Sequence, residues 1–110
     1  MKVFVIPFHV KHMNDGSSIM PSGFAGGYVN CYSPGEDYGE ATERALKSLI
    51  SNGIYPEEIL QPIGEMDLEN WSQHVSDKWP ELKDSLHSQN EFESAMIRGE
   101  VVYGPFGMYM

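Results

Sequence analysis

Gly26-Gly27-Tyr28-Val29-Asn30-Cys31-Tyr32 runs into Ser33-Pro34-Gly35-Glu36-Asp37 and then into an amphipathic stretch that ends at Asn52-Gly53. In the first segment Tyr28, Asn30 and Tyr32 alternate with Val29 and Cys31, the period of two that sends neighbouring side chains to opposite faces of a strand. Val29 and Cys31 are the core-facing pair on this reading. Ser33-Pro34-Gly35 turns the chain. Beyond it Tyr38, Ala41, Ala45, Leu46, Leu49 and Ile50 recur at steps of three and four opposite Glu40, Glu43, Arg44 and Lys47, which predicts a helix from Asp37 to Ser51. Asp37 with Glu40 has the spacing of a capping box, Glu43 and Lys47 form an i,i+4 pair, and Gly53 suits the left-handed residue that closes a helix.

Upstream, Lys2 to Val10 carries Val3, Phe4, Val5, Ile6, Phe8 and Val10 almost without interruption, the pattern of an inner strand covered on both faces. Pro7 conflicts with an inner position, because it cannot donate to a ladder. Lys11 to Gly23 is dense in turn residues and predicts a long surface loop. Downstream, a third strand is expected from Glu57 to Ile63, with Pro56 and Pro62 favouring an edge. Asp67 reads as the N-cap of a helix in which Leu68, Trp71, Val75 and Trp79 share a face until Pro80. Pro80 to His87 reads as a short helical turn. Ser88 and Glu91 have capping-box spacing and open a helix through Phe92, Ala95 and Met96 to Gly99. Val101-Val102-Tyr103 is a last strand, followed by the aromatic tail Gly104 to Met110.

Strands mixed with helical crossovers predict one α+β domain over residues 1–110: a two-layer sandwich with a mostly antiparallel sheet of about four strands and its helices on one face. The layout of strand Tyr28 to Tyr32, helix Asp37 to Ser51 and strand Glu57 to Ile63 resembles a ferredoxin-like plait or a variant of it.

With 110 residues and one cysteine, Cys31, the chain has the size of one core and no internal disulfide. The start, Met1 to His9, is too short in apolar residues for a signal-peptide core or a membrane span, so a cytoplasmic, non-membrane protein is expected. The formal charge of -9 makes phosphate backbones poor partners, and nucleic-acid binding is not expected. Tyr28 and Tyr32 on one strand face resemble the stacking platform of RNA-binding plaits, a reading the charge opposes.

Chemistry-bearing motifs are sparse. His9 and His12 lie three residues apart, but a core-facing Cys31 is a poor completion of a zinc site, and no metal or other cofactor is expected. A mid-strand Cys31 reads as a small inert hydrophobe and not as a nucleophile. Gly23-Phe24-Ala25-Gly26-Gly27 precedes a strand and lacks the Lys-Ser/Thr of a phosphate loop, so it reads as a strand entrance or bulge. The carboxylate spacings match neither a calcium loop nor a glycosidase pair. No catalytic residues are assigned.

Charge is the stronger signal. Of the 16 acidic residues, 15 lie between Glu36 and Glu100, and from Glu57 to Asp77 there are six acids with no Lys or Arg. Glu57, Glu58, Glu65, Asp67, Glu69 and Asp77 are the candidate partner-binding residues, an acidic face for a basic protein. In size, acidity and layout the chain resembles the small immunity proteins of bacterial toxin systems. That resemblance implies a non-catalytic inhibitor that occludes a basic partner such as a toxin. The alternative is a small-ligand or regulatory module, dimeric through sheet edges, with the 11–23 loop over a pocket between sheet and helices.

Overall fold

The computed structural model describes residues 1–13 and 23–110, so the loop expected over 11–23 and the pocket beneath it fall mostly outside the described residues. The element order is β1 (Lys2–His12), β2 (Gly26–Pro34), α1 (Tyr38–Ser51), β3 (Ile54–Ile59), β4 (Gly64–Asp67), a 3-10 turn (Leu68–Asn70), α2 (Trp71–Lys78), α3 (Gln89–Ile97), β5 (Val102–Tyr103) and β6 (Gly107–Tyr109). All strand pairings are antiparallel. The fold is α+β.

Among the described residues the sheet holds six strands, more than the expected four or so, because each outer row is broken in two. On one side of β1 lie β3, paired with Phe8 to His12, and β4, paired with Lys2 to Val5. On the free side of β2 lie β5, opposite Cys31 and Tyr32, and β6, opposite Gly26 to Tyr28. The strand expected from Glu57 to Ile63 therefore starts earlier and is interrupted, with a cis Gln61–Pro62 bond inside the interruption. Pro7 sits opposite that break, which explains how a proline is accommodated in a central strand. Its carbonyl accepts from Leu60 N at 2.8 Å, so the side on which it lacks an N–H is the side where no strand needs one. The C-terminal tail ends as β6, completing the outer row.

Helices cover both faces of the sheet, and the two-layer arrangement with all helices on one face is corrected accordingly. On the first face Phe4, Ile6, Phe8, Val10, Val29 and Cys31 pack with Ala41, Ala45 and Leu49 of α1 and with Ile54. On the second, Val3, Tyr32 and Val102 pack with Trp71 and Val75 of α2 and with Phe92, Ala95 and Met96 of α3. The reason is local: β1 and β2 are apolar on both faces, and each face must be removed from water. Val29 and Cys31 face the core as expected. Tyr32 is fully buried on the opposite face while Tyr28, four residues earlier on that face, is 52 % exposed, so the two tyrosines do not form a common platform.

The caps follow the sequence. Asp37 accepts from Glu40 N at 2.8 Å, and Gly53 has φ of 73° just beyond α1. Ser88 and Glu91 form a reciprocal capping box on α3. Asp67, in contrast, precedes the 3-10 turn and makes no side-chain capping bond, so α2 starts later than expected, at Trp71. Gly26 marks a close approach: a Cβ there would lie 2.4 Å from the Val10 carbonyl oxygen and 2.6 Å from Tyr109 Oη.

Candidate functional site: an acidic cleft between β4 and α2

The chain leaves β4 through the 3-10 turn and enters α2, which returns across the second face with Trp71 and Val75 turned inward. Helical spacing then places Asn70, Gln73, His74 and Asp77 along the side of α2 toward β4. Between them and β4 lies an open cleft of about 560 Å³ lined by Lys2, Glu65, Met66, Asp67, Asn70, Gln73, His74 and Asp77. Three carboxylates face one ammonium. Lys2 Nζ is 3.3 Å from Glu65, and Asp77 accepts from Gln73 Nε2 at 2.8 Å; Asp67 and Asp77 have no ion pair among the described residues.

His74 sits at the inner end of this lining. Its Nε2 is 2.6 Å from Tyr32 Oη. Trp71 stacks near the imidazole at 6.1 Å and Trp79 meets it edge-on at 5.7 Å. Desolvation lowers the His74 pKa below the usual histidine value, with Lys78 pushing the same way and Asp77 opposing. Burial likewise pushes the Tyr32 phenol up, out of any physiological titration. The cleft therefore presents negative charge over a neutral imidazole at neutral pH.

A pH dependence follows. His74 titrates lower in the folded protein than in the unfolded chain, where its pKa is about 6.5. The unfolded state thus binds more protons in between, and stability is full above about pH 6.5 and lost as pH falls through the folded value. Thermal melts on lowering the pH from neutral should show a falling Tm that His74→Gln flattens.

The six predicted partner-binding residues divide. Glu65, Asp67 and Asp77 converge on the cleft, whereas Glu69 lies in the exposed 3-10 turn and does not line it. Glu57 and Glu58 lie on β3, away from it, and Glu57 pairs with Lys11 at 3.5 Å. Sequence reasoning missed His74, whose available signal was its position three residues after Trp71, at the border of the apolar helical face. Its partner, Tyr32, is 42 residues away. Cys31 is fully buried with its thiol pKa driven up by desolvation, and the described residues contain no group of three or more metal-ligating side chains. Among the described residues no helix is long and apolar enough to cross a membrane.

Compared with protein-family models, curated proteins and solved structures, the chain matches none of them.

Proposed function

We propose that this is a non-catalytic binding protein whose acidic cleft docks a basic protein partner and occludes its cationic surface, in the manner of the toxin-neutralising immunity proteins that its size, acidity and layout resemble. The observation that carries the reading is the convergence of Glu65, Asp67 and Asp77 on one open cleft in which Lys2 is the sole basic side chain of the lining. A cleft whose lining carries an excess of one sign of charge, here three carboxylates against one ammonium, concentrates field and accelerates association with a complementary partner. Asn70 and Gln73 add neutral hydrogen-bonding groups to the same walls, which suits lysine and arginine heads that carry several donors each. A non-catalytic role accords with a buried, protonated Cys31 and with a His74 engaged by a tyrosine that burial keeps neutral.

The test is capture of partners by the tagged full chain from the cells that make it, alongside the triple variant Glu65→Lys, Asp67→Lys, Asp77→Lys. A basic protein should be enriched by the wild type and lost with the variant. Its association rate with the variant should fall about tenfold or more at low salt, with a flatter salt dependence. Recovery of no basic protein that depends on these three carboxylates would sink the reading.

A further inference from the structure

Among the described residues, helices cover the second face of the sheet at one end only. α2 and α3 lie over Val3, Tyr32 and Val102, while at the far end of the same face Tyr28 is 52 % exposed and Tyr55, on β3, is 51 % exposed. The strand register places His9 between Tyr28 and Glu58, and Lys11 between Gly26 and Tyr55. Tyr109, on β6 opposite Gly26, completes a group of three rings. His9 and Tyr28 stack at 5.0 Å and 21°, and Tyr109 tilts against them at 5.9 and 6.1 Å. Tyr109 Oη and His9 Nε2 are 2.7 Å apart, and the missing Cβ of Gly26 leaves the space into which the phenol reaches. Hydrogen bonding and close packing thus hold the rings in place, with Tyr28 exposed and His9 and Tyr109 half-buried.

Charge says what such a surface suits. The register slips between His9 and Val10, so Glu57 is the extra residue of a bulge and follows the ladder out of phase. Lys11 is taken up by Glu57, while Glu58, directly across from His9, has no ion pair among the described residues. Aromatic faces are themselves negative and attract cations. An exposed Tyr28 ring beside a carboxylate with no ion pair among the described residues, on a chain of charge -9, disfavours a phosphate chain or a second copy of the protein and favours a cation. Of the two cationic side chains arginine fits better: its guanidinium is planar, weakly hydrated and stacks on rings, whereas an ammonium keeps its water.

We propose that this open end of the sheet is a second docking surface, on which Tyr28 and its neighbouring rings stack an arginine side chain of the partner while Glu58 supplies the charge that draws it in. The identity of the partner as a basic protein rests on the docking reading above; the contact itself rests on residues outside the cleft.

Two peptides of equal length and charge, one of arginine and glycine and one of lysine and glycine, test it by NMR titration of the full chain at low salt. Ring signals of Tyr28 and His9 report the sheet, and those of His74 and the Trp79 indole report the cleft. The arginine peptide should shift Tyr28 and His9, and the lysine peptide should do so more weakly. Tyr28→Ala should weaken arginine-peptide binding at the sheet about twofold to fivefold, the range of an exposed cation–π contact. Tyr28→Phe should preserve it, and Glu58→Gln should weaken both peptides. Amide spectra of the variants establish that they remain folded. Silent Tyr28 and His9 signals, equal responses to the two peptides, or indifference to Tyr28→Ala would overturn the proposal. A responding cleft beside a silent sheet refutes this surface and leaves the docking reading standing; a responding sheet beside a silent cleft does the reverse.

Discussion

Replacing Trp71 with alanine is expected to destabilise the protein by about 3–5 kcal/mol, the range for emptying a buried aromatic site. Trp71 is 1 % exposed, stacks on Phe92 at 4.1 Å with the rings 2° from parallel, and receives the edge of Tyr32 at 4.9 Å. Its indole N–H also donates to the His87 carbonyl at 2.8 Å, tying the segment before α3 to α2. The variant would lose the packing, leave a cavity and strand that carbonyl. Against the 5–15 kcal/mol typical of a whole domain, such a loss moves the urea midpoint far. Hydrogen exchange should quicken first in α2 and α3, since both rest on this cluster, while α1 retains its own. A loss under about 1 kcal/mol would mean that the second core is not organised around this residue.

Phe8→Ala should cost a similar amount, about 3–5 kcal/mol, but from the other side of the sheet. Phe8 is fully buried, is paired with both Val29 and Ile59 across the strands, and packs in the cluster covered by α1. Here the amides of α1 should lose protection before those of α3. The two clusters share no side chain, so milder substitutions placed one in each, Ile6→Val and Val75→Ala, should add to within about 0.5 kcal/mol in urea unfolding. Strong coupling would contradict a sheet that separates two cores.

The unbroken apolar run of β1 implies cover on both faces, whereas the order of elements suggests a two-layer sandwich. The local pattern was the better guide, because side-chain alternation is imposed by the strand itself, whereas the face on which a crossover helix lands depends on the whole chain. Similarly, Pro7 is compatible with an inner strand only because the neighbouring row is broken opposite it. That break, between β3 and β4, depends on how residues 60–63 leave the edge, and no pattern within β1 encodes it. Tyr28 and Tyr32 share a strand face by period, but α2 and α3 bury one and leave the other open.

The acidic residues were legible individually, since charge is written in composition. Their grouping was not. Glu65 and Asp67 meet Asp77 only because the 3-10 turn brings α2 back beside β4, and Glu69, as near to Asp67 in the chain as Glu65 is, falls outside the cleft.

The strand and capped helix from Gly26 to Gly53, the capping box at Ser88 and the concentration of acid after residue 36 were determined by sequence alone, because caps, periodicity and charge act over three or four residues. The placement of helices on both faces, the joining of His74 to Tyr32, the acidic cleft and the open aromatic end of the sheet were decided by tertiary structure, because each brings together residues from different strands and helices, and pairings of that kind arise from burying both faces of one sheet.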